Sequence, residues 1–119
     1  MEKCFVNFSN HRSENWGEKQ RKMAETYGEI VDVPFPSVDP TCSEEDIEQL
    51  GNRYLEVIKE QRPTAVLCQG EFSLAYYVVS RLRKEGIVAL AACSKRNVLE
   101  KGNEKISRFE FERFRMYID

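Results

Sequence analysis

The sequence predicts an α/β fold, a mostly parallel sheet of four strands flanked by helices, with a C-terminal antiparallel hairpin appended. Three observations predict it. Short apolar runs recur along the chain at residues 4–8, 30–33, 65–68 and 87–93, and segments with helical spacing of apolar residues separate them. Strands that are apolar on both faces and separated by helices are what a parallel sheet covered on both sides requires. From about Asn97 the pattern changes to two polar, alternating stretches around Lys101-Gly102-Asn103, which is a hairpin signal. The expected architecture is Rossmann-like. With 119 residues, 41% of them hydrophobic, the chain is long enough for one core and too short for two, so residues 1–119 read as one domain.

Each element has a local reason. Cys4-Phe5-Val6-Asn7-Phe8 reads as the first strand, after which Ser13 can cap a helix with Trp16, Met23 and Tyr27 inward, ending at Gly28. Ile30-Val31-Asp32-Val33 is the second strand. "PFPSVDPT" follows, too stiff and too poor in donors for helix or ladder, and is expected to be an ordered loop. Ser43 before Glu44, Glu45 and Asp46 starts a helix whose apolar face is Ile47, Leu50, Tyr54, Val57 and Ile58, stopped by Pro63. Ala65-Val66-Leu67-Cys68 is the third strand. A turn at Gly70 leads to a helix with Phe72, Ala75, Tyr76, Val79 and Leu82 inward, closed by Gly86. The fourth strand spans 87–93. In the final strand Phe109 and Phe111 share one parity and Phe114, Met116 and Ile118 the other, so a bulge is expected near Glu112 or Arg113.

Composition narrows the function. No apolar stretch approaches the roughly 20 residues of a membrane-spanning helix, and the charged start is unlike a signal peptide, so a soluble, cytoplasmic protein without membrane partners is expected. Cys4, Cys42, Cys68 and Cys93 form no CxxC pair, and three of them lie in apolar runs as small hydrophobes do. One histidine and scattered thiols offer no metal site, and no cofactor is expected. A formal charge of −2 gives no global field for duplex nucleic acid, so an anionic ligand needs a local cluster. GxGxxG, GxxxxGK[ST], GxSxG and an Mg²⁺-type acidic cluster are all absent. The central strand ends carry Gln69 and Ser94 where a phosphorelay receiver needs aspartate.

In an open parallel sheet, ligands bind beyond the carboxyl ends of the strands. Four loops meet that condition: Ser9-Asn10-His11-Arg12-Ser13, Pro34-Phe35-Pro36-Ser37, Gln69-Gly70-Glu71-Phe72 and Ser94-Lys95-Arg96. Arg12, Lys95 and Arg96, with His11 when it is protonated, supply positive charge, with Arg offering phosphate a planar fork. Each has a bland alternative. His11 can be a solvated surface residue, Lys95-Arg96 a solvated turn, Gly70 a steric necessity of the turn, Glu71 a first-turn acid on the helix dipole, and the Pro36 loop a rigid connection instead of a pocket wall. Trp16 and Tyr27 read as core.

The stretches "NFSNHRSENW", "YGEIVDVPFPSVDP", "VLCQGEFSLAYYVVSRLRKEGIVALAACSKR" and "FEFERFRMY" together resemble the small standalone proteins encoded beside type III CRISPR systems, which carry a minimal CRISPR-associated Rossmann (CARF) fold. The resemblance implies binding of a cyclic oligoadenylate, chiefly cyclic tetra-adenylate, across a homodimer two-fold, with ring cleavage in several members. It implies Ser9, Asn10 and His11 near phosphates or riboses, Gln69, Gly70, Glu71 and Phe72 against the ring, and Ser94, Lys95 and Arg96 as a second polar loop. No known catalytic residue of that group matches a position here, so binding is better supported than cleavage. The chemistry is nevertheless reasonable: a ribose 2′-hydroxyl already sits beside the phosphate it attacks, His11 can take or give a proton, and Lys95 and Arg96 can offset phosphorane charge. The expectation is a metal-independent ring nuclease. The alternatives are a non-catalytic sponge or sensor for the same messenger, and an anion-binding or interaction domain unrelated to CRISPR.

Overall fold

The computed structural model describes residues 3–119. Five strands, β1 (Cys4–Ser9), β2 (Glu29–Asp32), β3 (Ala65–Gln69), β4 (Val88–Lys101) and β5 (Glu104–Met116), form one sheet in the order β2-β1-β3-β4-β5. The first four run parallel and β5 is antiparallel to β4. A 3-10 turn (Ser13–Asn15) and α1 (Glu18–Glu25) follow β1, α2 (Glu44–Glu60) follows β2, and α3 (Phe72–Lys84) follows β3. The fold is α/β, as the sequence predicts.

Strand alternation divides the core in two. Val6, Phe8, Val66, Cys68 and Ala89 pack with Leu55 and Ile58 of α2 and with Leu74, Val78 and Leu82 of α3. Phe5, Ala65, Leu67, Leu90 and Phe114 face the other way, onto Ala24 of α1 with Trp16 and Tyr27 at the margin. Two helices cover the first face and one short helix the second, so the sheet surface beyond α1 is left open. Burial pushes the Cys68 thiol up to about 12, which makes it an inert core residue.

The second helix starts as expected. Ser43 Oγ accepts from Asp46 N–H at 3.1 Å while Asp46 Oδ2 accepts from Ser43 N–H at 3.0 Å, a reciprocal cap. The first helix does not. Residues 13–15 form a 3-10 turn, and α1 begins only at Glu18, after Gly17 in extended backbone. Four residues expected to face inward are exposed, Met23, Val57, Phe72 and Tyr76, and Leu55 takes the buried position on α2. On α3 the inward stripe is Leu74, Ala75, Val78, Val79 and Leu82, so Phe72 and Tyr76 fall on the outer side.

The fourth strand and the first arm of the hairpin are one element. No Gly or Pro interrupts residues 87–101, so β4 runs on as a 14-residue strand past the body of the sheet, paired only with β5. Gly102, at φ 65°, makes the turn with Asn103, the left-handed first position that a type II′ hairpin requires. The bulge falls where expected: Cys93 pairs Arg113 and Ser94 pairs Phe111, so Glu112 is the extra residue. It brings Phe109, Phe111, Phe114 and Met116 to one face, the face of α1, despite their change of parity.

Candidate functional site

Strand order reverses between β1, whose chain continues to β2, and β3, whose chain continues to β4. Such a switch point opens a crevice between the loops that leave the two strands. Here a cleft of about 1080 Å³ lies there, on the α1 face. Leu67, Ala92, Phe111 and Trp16 give it apolar walls, Asn10, Asn15, Gln20, Gln69 and Ser94 give it amides and a hydroxyl, and Ser9 lies at its floor.

A buried polar network builds the β1 side. Asn7 is 2% exposed. Its Nδ2 donates to the His11 carbonyl at 2.8 Å and to Asp32 Oδ1 at 2.9 Å, while its Oδ1 accepts from Ser9 Oγ at 2.7 Å. Asp32 Oδ2 accepts from Ser13 Oγ at 3.0 Å, and Arg21 donates to the Ser13 carbonyl. The loop from Ser9 to Ser13 is therefore pinned by its backbone, which leaves the exposed His11 imidazole outside the network. Ser9 donates inward, so its role is to hold the loop; it does not present a free hydroxyl to ligand.

On the β3 side, Gln69 Oε1 accepts from the Ala92 N–H, extending the β3–β4 pairing beyond its last ladder pair. Gly70 is a steric necessity. A Cβ there would stand 2.5 Å from the Phe35 ring, which is buried and stacked on Phe8 at 4.7 Å between centroids.

Of the residues expected in the site, Ser9, Asn10, His11, Gln69, Gly70 and Ser94 line the cleft, and Arg12, Pro36, Glu71, Phe72, Lys95 and Arg96 do not. The reasons are local. Arg12 pairs with Glu14 at 3.6 Å at the surface. Phe35 belongs to the core on the opposite face, which takes the Pro36 loop with it. Glu71 is the cap of α3, accepting from the Ser73 hydroxyl at 2.6 Å and from Ser73 N–H and Leu74 N–H at 2.9 Å each. These bonds, the Ser73 hydroxyl foremost, hold its carboxyl below the usual range. Phe72 is 91% exposed on α3. Ser94, Lys95 and Arg96 are strand, not loop, so adjacent side chains point to opposite faces. Arg96 shares the α1 face with Phe109 and donates to Ser107 Oγ at 3.1 Å; Lys95 lies on the other face opposite Glu110.

Several cleft residues were not singled out from the sequence. The segment Asn15-Trp16-Gly17-Glu18-Lys19-Gln20 forms one wall and 109–112 the other. Lys19 bridges them, 3.7 Å from Glu112. Trp16 serves both core and wall, edge-on to Phe5 at 6.2 Å. Glu18 and Glu112 outnumber Lys19, while Glu110 directs its side chain to the other face opposite Lys95, so one copy of the chain offers aromatic and amide groups more readily than a cation cluster for phosphate. The signal that marks 109–112 in the sequence is the parity change at Glu112. Among the described residues no group of His, Cys, Asp or Glu side chains has metal-ligand proximity, and no helix is long and apolar enough to cross a membrane.

No curated protein and no solved structure matches the chain. A family model matches residues 3–115, nearly the whole chain, and by that match the protein belongs to the uncharacterized protein MJ1673 family.

Proposed function

We propose that this chain is a Rossmann-like, CARF-like domain that binds a cyclic oligoadenylate, cyclic tetra-adenylate in the first instance, as a cytoplasmic homodimer, and that His11 opens the ring without a metal. The observation that carries the binding part is the cleft at the strand-order reversal, with Trp16, Phe109 and Phe111 beside the amides of Asn10, Asn15, Gln20 and Gln69. Adenine presents a π-face and an edge of both donors and acceptors. Base-on-aromatic stacking is worth about 1–3 kcal/mol per base. A volume of about 1080 Å³ lies just above the roughly 300–1,000 Å³ typical of small-molecule sites, in keeping with a ligand larger than one nucleotide.

Phosphates need charge that one copy does not concentrate in the cleft. A two-fold dimer duplicates His11 and Arg96 around a symmetric ring. In the cleavage step the 2′-oxygen attacks the adjacent phosphorus and the P–O5′ bond breaks, leaving a 2′,3′-cyclic phosphate and a 5′-hydroxyl. His11 takes the 2′-proton as base while water protonates the departing 5′-oxygen, or protonates the 5′-oxygen as acid while water takes the 2′-proton.

A second reading, binding without cleavage, is favoured by one observation: Lys95 and Arg96 point to opposite faces, so the cation pair that would stabilise a phosphorane beside His11 is not assembled within one chain. Incubation with labelled cyclic oligoadenylates, followed by chromatography, separates the readings. Linear products, lost by roughly 10²- to 10⁴-fold in single-turnover rate in His11→Ala with binding retained, support cleavage. Retained intact ring supports the sponge or sensor. No binding of any ring size, or a monomer by sedimentation with and without ligand, refutes the proposal.

A further inference from the structure

The face of the β4–β5 hairpin opposite the cleft has a different character. Register places Arg115 against Ala91, Arg113 against Cys93, Lys95 against Glu110 and Arg108 against Asn97, all on the side away from α1. Lys95, Arg108, Arg113 and Arg115 are exposed, and none forms an ion pair among the described residues. Glu110 is the one carboxylate at those register positions. Four cations without a carboxylate partner against one acid are conspicuous in a chain of net charge −2. Arg113 and Arg115 lie two residues apart on β5, ~6.6 Å by strand rise, Arg108 lies further along β5 beyond Glu110 and the bulge, and Lys95 stands beside them on β4. Arg113 Nε donates to the Phe114 carbonyl at 3.0 Å, which leaves its terminal nitrogens unengaged among the described residues.

Aromatic surface stands on the same side. α3 packs on this face, and Phe72 and Tyr76, one turn apart on its outer side, are 91% and 77% exposed. Tyr76 shares a groove with Tyr117, which is two residues beyond Arg115 and whose hydroxyl donates to the Cys68 carbonyl at 2.8 Å. A row of unpaired cations beside exposed rings is the combination that holds single-stranded nucleic acid: the cations follow the backbone and the rings stack on unpaired bases. A duplex offers phosphates and hides its base faces.

We propose that this back face of the hairpin, with Arg108, Arg113, Arg115 and Lys95 as phosphate contacts and Phe72 and Tyr76 as stacking platforms, binds single-stranded nucleic acid, independently of the cleft. The shared chemistry is a phosphodiester backbone with unpaired bases, which RNA and DNA both supply.

Fluorescence anisotropy of the full chain with labelled single-stranded RNA, single-stranded DNA and a duplex of one sequence tests it across a salt series. The expected result is binding of single strands over duplex, with log K falling against log salt at a slope of roughly −2 to −3 for four contacts. The RNA and DNA arms identify which strand is preferred. Arg113→Gln with Arg115→Gln should lower the slope's magnitude by about 1.4, at about 0.7 per contact. Phe72→Ala should weaken binding about 5- to 100-fold with the slope kept. Circular dichroism confirms that these surface variants fold. Absence of single-strand binding at low salt, equal binding of duplex, an unchanged slope in the double arginine variant, or equal competition by poly-glutamate, which would indicate an acidic protein partner, overturns the proposal. Stoichiometric competition by cyclic tetra-adenylate also overturns it, since the strand would then be in the cleft. Failure of cyclic oligoadenylate binding alone leaves these expectations intact and refutes the cleft reading instead.

Discussion

Asn7→Ala should destabilise the protein by about 3–4 kcal/mol, although the residue does not line the cleft. Asn7 sits in the middle of β1 and joins three groups: the His11 carbonyl, Ser9 Oγ and Asp32 Oδ1. Two of these bonds are between neutral groups and contribute about 1 kcal/mol each. The third meets a carboxylate, for which about 1.5 kcal/mol, the low end of the charged range, is appropriate because Asp32 is exposed. Ser9 is 7% exposed, so its hydroxyl loses a partner that water cannot fully replace. Against a total stability of about 5–15 kcal/mol for a domain, such a loss lowers the folded-to-unfolded ratio by roughly 10²- to 10³-fold. Urea unfolding followed by circular dichroism reads it directly. With a slope of about 1.5–2 kcal/mol per molar, the midpoint should fall by about 2 M. Asn7→Asp provides a second handle, because it loses the amide donor and sets a carboxylate beside Asp32. Burial and like charge raise its folded-state pKa, so it should be strongly destabilised at neutral pH and recover stability as the pH falls below that raised value toward the ordinary Asp value of about 3.9. A midpoint shift below about 0.5 M for Asn7→Ala would refute the reasoning and mean that the β1 loop is held by other contacts.

Two further outcomes test the site's scaffold. Gly70→Ala should cost about 1–3 kcal/mol, measured by the same unfolding, because the new methyl must displace the buried Phe35 ring. Glu71→Gln should cost about 0.5–1 kcal/mol at neutral pH, where the ionised cap accepts from two N–H groups. Since the folded-state pKa of Glu71 is lowered, its stabilisation is present above the ordinary Glu value of about 4.3 and is lost as pH falls through the lower folded value. The difference between wild type and variant should therefore shrink in acid, and a constant difference would refute the cap assignment.

Features that depend on near neighbours are legible in the amino-acid order alone. Apolar runs separated by helical periods carry the α/β class, Ser43-Glu44-Glu45-Asp46 carries a cap, Gly102-Asn103 a turn, and the parity change between Phe111 and Phe114 the bulge at Glu112. Strand ends also mark where a crevice opens, which is why Asn10, His11 and Gln69 reach the cleft; Ser94 reaches it from within β4 because its side chain faces α1. Tertiary structure decided which face each residue serves. Ser94-Lys95-Arg96 looks like a polar loop because charge usually marks the end of a strand; pairing with β5 keeps it extended, and alternation then parts Lys95 from Arg96. Phe72 and Tyr76 satisfy a helical spacing, but an apolar stripe has no absolute direction until α3 docks, and Leu74 and Val78 won the inward side. Glu71 is a cap because the turn at Gly70 brings its carboxylate under the first N–H groups of α3. The opposite wall of the cleft, Trp16 to Gln20 and Phe109 to Glu112, comes from segments some ninety residues apart that meet only through the sheet, and no local pattern encodes a meeting of that kind.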